Sequence, residues 1–133
     1  MARFFDVTKR TTFGARAYFG SFEKQDDTVK TFESEGFYLC GSTTLRGYPE
    51  LAFSGNKRVL YNFEYRLRIG NDVHTVLFHD IGQVFDDTFS YNIRHYKSGS
   101  GFGFRYVTGL TPFRLDFAWG RELMLHFGLG QMF

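Results

Sequence analysis

Between Val59 and Ile69 the side chains change character at every second residue. Val59, Tyr61, Phe63, Tyr65, Leu67 and Ile69 are apolar or aromatic; Asn62, Glu64, Arg66 and Arg68 between them are polar, and Leu60 is the one exception. A period of two puts the sets on opposite faces of a strand, whereas a helix brings its charges back every three or four residues. The pattern recurs along the chain. Phe113, Leu115, Phe117 and Trp119 oppose Arg114, Asp116, Ala118 and Gly120. Leu123, Leu125, Phe127, Leu129 and Phe133 oppose Glu122, Met124, His126, Gly128 and Gly130, with Gln131 as the polar break on the apolar side. Phe102, Phe104 and Tyr106 oppose Gly101, Gly103 and Arg105, and Phe13, Ala15, Ala17 and Phe19 oppose Gly14, Arg16, Tyr18 and Gly20. Leu77, His79 and Ile81 oppose Phe78, Asp80 and Gly82, a strand with bulk on both faces. Residues 2–9 complete a set of seven strands. No stretch has a helical period, so the fold class is all-β.

The connections carry a second pattern. Gly70-Asn71-Asp72 has hairpin chemistry and residues 108–112 are short, while roughly 23–56 and 86–98 are long and polar. Short and long connections alternate, apart from the short Gly120-Arg121, as they do around an antiparallel barrel with tight turns on one rim. No linker or shift of composition divides residues 1–133, so no second domain is expected. No window reaches the roughly 18 uncharged apolar residues of a spanning helix, but a spanning strand needs only about 9–11. Asp6 interrupts the opening segment, which therefore lacks the apolar centre of a signal peptide. A lone Cys40 rules out an internal disulfide, and a formal charge of +2 argues against a nucleic-acid partner.

Alternation alone does not choose the solvent. A soluble barrel of the fatty-acid-binding size turns its apolar face inward, and a membrane barrel turns it outward. Aromatics make up 20% of the chain, with 18 Phe and 8 Tyr, and they crowd one face. Rings of that bulk overfill the interior of a small closed barrel. The opposite face, with Gly14, Arg16, Glu64, Arg105, Arg114, Asp116, Gly128 and Gly130, suits a polar lumen.

The segment Phe37 to Tyr48 contains Cys40-Gly41-Ser42-Thr43-Thr44-Leu45-Arg46-Gly47-Tyr48. It resembles the Gly-Gly-x-x-x-(Val/Leu)-Arg-Gly-(Tyr/Phe) loop of the bacterial surface antigen superfamily, which includes BamA- and TamA-like outer-membrane insertases and two-partner-secretion transporters. Asn62-Phe63-Glu64-Tyr65-Arg66 resembles its Asn-x-Glu-Tyr-Arg strand, and Phe78 to Phe85 its aromatic-Asp-x-Gly-x-Val strand. Gly101 to Arg105, Thr111 to Asp116 and Phe127 to Phe133 are similar to its last strands, in family order. The resemblance implies the C-terminal portion of a sixteen-stranded transmembrane barrel in a Gram-negative outer membrane, usually with POTRA domains upstream. It implies that the loop at about 23–56 folds back into the lumen, with the motif Gly41, Leu45, Arg46, Gly47 and Tyr48 at its tip. There Arg46 meets Glu64 and Asp80. His126, Gly128 and Phe133 match the terminal assembly signal. Cys40 replaces the first Gly of the loop motif, and Gln131 an apolar residue of the signal.

Seven strands are fewer than the 8 upward of single-chain bacterial barrels, so a piece of a longer barrel is expected. The implied partners are outer-membrane lipid, the barrel assembly machinery, unfolded outer-membrane or secreted substrates, and either the missing N-terminal strands and POTRA domains or further copies of the chain. The barrel of a patatin-type or porin-like protein is the other outer-membrane reading. No enzymatic active site, cofactor or metal is expected. His79-Asp80 matches the metal-binding pair of the helical HD phosphohydrolases, but it stands in a strand. Gly99 to Gly103 resembles a phosphate loop that no helix follows.

Overall fold

The structure, a computed structural model, describes residues 1–21, 37–39, 41–49, 53–86, 93–109 and 111–130. The alternating segments form strands β1 (Ala2–Thr8), β2 (Thr11–Ser21), β5 (Lys57–Arg68), β6 (Val73–Phe85), β7 (Lys97–Tyr106), β8 (Phe113–Trp119) and β9 (Leu123–Leu129). These seven make one antiparallel sheet in the order β1-β2-β5-β6-β7-β8-β9. Inside the long connection, β3 (Phe37–Leu39) and β4 (Phe53–Gly55) pair as a separate small hairpin. The sequence does not predict that hairpin, because three-residue strands are too short to show a period. One 3-10 turn, Ile93–His95, precedes β7. Among the described residues there is no α-helix.

Register fixes the faces. Phe5, Phe13, Tyr65, Leu77, Phe102, Phe117 and Leu125 are successive partners across all seven strands. They form one apolar row on a single face of the sheet. Rings along it stack, as in Phe13 on Phe63 and Phe102 on Phe117, with centroids 6.4 and 5.1 Å apart. Most large apolar side chains of this face remain exposed, Leu77 at 59% and Phe127 at 68%. Most of the buried polar strand residues lie on the other face, Asn62, Glu64, Asp80, Arg105, Arg114, Asp116 and His126, while Thr11 and Gln83 share the parity of the apolar row. Apolar outside and charged inside is the inverse of a soluble protein and the arrangement of a transmembrane barrel wall. The soluble fatty-acid-binding alternative requires the opposite orientation, and the structure excludes it.

The strand ends at Thr8 and Thr11, at Arg68 and Val73, and at Tyr106 and Phe113 share one rim, and the long connections leave from the other. A bulge between Asp6 and Thr8 shifts the register of β1. Among the described residues β1 and β9 pair on one side only, so the sheet is open.

Candidate functional site: a loop clamped to the inner face

The segment 41–49 lies against the polar face of the sheet. Gly41 and Gly47 both have positive φ, 118° and 88°, a region that favours glycine. Between them the Gly41 amide donates to the Leu45 carbonyl at 3.2 Å and closes a compact turn. Leu39, Leu45 and Tyr48 pack with Leu60 of β5, joined by Phe53 and Val84, in a small apolar cluster between loop and wall. The Tyr48 hydroxyl donates to the Ser98 carbonyl at 3.1 Å. At the far end the Arg121 amide donates to the Gly47 carbonyl at 3.0 Å, so the loop tip reaches the β8–β9 turn.

Arg46 is fully buried at the centre of this contact. Its Nε and Nη2 donate to the two oxygens of Asp80 at 2.7 and 2.8 Å, and its backbone amide donates to Asp80 Oδ2 at 3.2 Å. The third nitrogen, Nη1, donates to Glu64 Oε1 at 3.0 Å and reaches Asp116 Oδ2 at 3.5 Å. The guanidinium carbon stands 3.5 Å from the centroid of the Phe78 ring. One side chain thus ties three strands, β5, β6 and β8, through a planar fork that a lysine does not have. Burial alone lowers the pKa of Arg46. The hydrogen bond to Asp80 and the charges of Asp80, Glu64 and Asp116 outweigh it and raise the pKa above the ordinary arginine value.

Further cations hold the carboxylates from behind. Arg66 Nη2 meets Glu64 Oε2 at 2.7 Å, Arg105 Nη1 meets Asp116 Oδ1 at 2.5 Å, and Arg114 Nε stands 3.6 Å from Asp116 Oδ2. Asn62 donates from Nδ2 to Asp80 Oδ1 at 2.8 Å and to the Thr44 carbonyl at 2.7 Å. Arg16 donates through Nε and Nη2 to Asn62 Oδ1 at 2.9 and 2.7 Å, and through Nη2 to the Thr43 carbonyl at 2.8 Å.

The structure therefore brings together Arg46, Glu64 and Asp80 and seats Gly41, Leu45, Gly47 and Tyr48 around them. Of the assembly-signal residues, His126 lies on the inner face as the register partner of Asp116, and Gly128 is the partner of Arg114. Phe133 lies outside the described residues, as do Cys40 and Gln131. Sequence reasoning missed Asp116, Arg105, Arg66 and Asn62 as members of the cluster. Their signal was present, since all four share the polar parity of Glu64, but parity does not say which of them the loop touches. His79 and Asp80 point to opposite faces of β6, so they cannot share a metal ion. Among the described residues no group of three or more His, Cys, Asp or Glu stands close enough to hold one.

The space for the loop comes from β7. Gly99, Gly101 and Gly103 alternate on its inner face, and a β-carbon on Gly99 would overlap the carbonyl oxygen of Arg46. One on Gly101 would meet Phe117 O and the Phe78 ring, and one on Gly103 the Asp116 carboxylate. Replacing Gly99 by alanine is expected to push the loop off its seat at a cost of about 1–3 kcal/mol. Faster chymotrypsin cutting at Tyr48 measures this. Gly109→Ala, with open space around the position, serves as the control and should cut at the wild-type rate.

Compared with protein-family models, residues 2–133 match the one described as an Omp85 superfamily domain. No curated protein matches the chain at a significant level.

Proposed function

Because the chain belongs to the Omp85 superfamily, whose members are outer-membrane proteins of Gram-negative bacteria, we propose that it forms the C-terminal part of the barrel of an outer-membrane protein insertase or translocator. The observation that carries this reading is the loop folded onto the inner face with Arg46 forked onto Asp80 and joined to Glu64. A clamp of that kind fixes the lumen side of the wall and leaves the apolar face to lipid. The activity is mechanical and needs no enzymatic site: unfolded outer-membrane or secreted chains are the substrates, and the barrel assembly machinery delivers the protein to the membrane.

The open sheet supports a larger assembly. Unpaired backbone groups at the edges of β1 and β9 cost several kcal/mol each in hydrocarbon. Further strands, with POTRA domains upstream, or other copies of the chain cover them. Arg46→Lys tests the reading in the full-length protein in its native membrane. It keeps the charge and loses the fork, so barrel assembly and substrate insertion are expected to fall several-fold. Wild-type levels of both would refute the proposed role of the clamp.

A further inference from the structure

Where the inner face meets the short-turn rim, a cavity of about 210 Å³ is walled mainly by cations. Lys9 and Arg10 come from the β1–β2 turn, Arg66 and Arg68 from β5, His74 from β6 and Arg105 from β7. Arg68 Nη2 donates to the Lys9 carbonyl at 3.3 Å, which holds the turn against the strand. Few acids answer this charge. Glu64 faces Arg66 and stands 3.7 Å from Arg105, and Asp6 accepts the hydroxyl of Thr12 at 2.9 Å at the margin. Among the described residues, five permanent cations therefore face three carboxylates, Glu64, Asp6 and the Asp116 that pairs with Arg105, and Glu64 and Asp116 also meet Arg46.

Arg105 adds an independent observation. It is 1% exposed and lines the cavity. Its Nη1 serves Asp116 and the Phe104 carbonyl and its Nη2 stands 3.7 Å from Glu64 Oε1, while Nε and Nη2 make no hydrogen bond among the described residues. Buried charged donors without acceptors are costly, and so is like charge crowded into one cavity. An anion in the cavity offsets the crowded positive charge. The donors approach from a turn, from β5 and from β7, so they suit a tetrahedral oxyanion better than the two coplanar oxygens of a carboxylate.

We propose that the rim cavity binds a phosphate group, as a free phosphate ion or as the headgroup of a phospholipid. The site is separate from the loop clamp, and the inference does not draw on the insertase reading. The test uses the full chain, in the length in which it is made, in a maltoside detergent free of phosphate. Inorganic phosphate is titrated at constant ionic strength while thermal unfolding is followed. A saturable rise in Tm is expected, absent with sodium chloride. The variant R10Q/R68Q should weaken binding about tenfold or more, since each charged hydrogen bond lost is worth at least that factor. A short-chain phosphatidylglycerol that binds more tightly than phosphate and competes with it identifies the headgroup; no gain over phosphate identifies the free ion. An equal response to chloride, an unchanged response in R10Q/R68Q, or polyglutamate outcompeting both phosphate probes would overturn the proposal. If the double variant does not fold, R10Q alone, on the exposed turn, carries the same comparison.

Discussion

Arg46→Ala is expected to free the loop 41–49 from the inner face and to destabilise the barrel by about 3–5 kcal/mol, the range for removing one partner of a buried ion pair. The cost does not fall equally on the three carboxylates. Glu64 keeps Arg66 and Arg105, and Asp116 keeps Arg105 and Arg114. Asp80 keeps Asn62 Nδ2. The backbone amide of Arg46 leaves with the loop. Most of the loss therefore falls on the Asp80 carboxylate, left buried with only Asn62 Nδ2 and the nearby charge of Arg16 to balance it. It follows that adding Asp80→Ala to Arg46→Ala should recover part of the stability, because the second change removes the stranded charge. Urea unfolding in micelles, with chymotrypsin cutting at Tyr48 as the local readout, measures both variants. A double variant as unstable as the sum of the two single ones would show that Asp80 is not the residue left stranded.

The sequence makes some of this legible for a physical reason. Period-two patterning is set by burial on one face, so seven strands and their parity are visible in single residues such as Phe63 and Glu64. The short turns are visible because Gly70-Asn71-Asp72 has its own local chemistry. Contacts between the loop and the sheet are not local. Glu64 and Asp80 emerge through the resemblance of motifs; Asp116, 70 residues from Arg46, does not. The glycines of β7 read only as gaps opposite aromatics, although Gly99 is the seat of the Arg46 carbonyl. The rim cavity is assembled from four separate segments, each of which shows only scattered basic residues.

Leu77→Arg is expected to cost about 2–4 kcal/mol in a bilayer and to lower the yield of folded barrel, the depth-dependent penalty of a cation on a lipid-facing position. Leu77 is chosen because β6 is paired on both sides, with Tyr65 and Phe102 as its register partners, so strand-edge effects do not enter. The side chain is 59% exposed and makes no part of the loop cluster. On a water-facing surface the same substitution falls within about ±0.5 kcal/mol, because it removes no packing and strands no charge. The two solvents thus predict results that differ by more than the error of an unfolding titration. Thr75→Arg, two residues nearer the short-turn rim on the same face, should cost less, since the penalty falls toward the interface and a long arginine stem reaches the headgroups. A neutral Leu77→Arg in lipid vesicles would mean that the aromatic row from Phe5 to Leu125 is covered by protein and not by the bilayer.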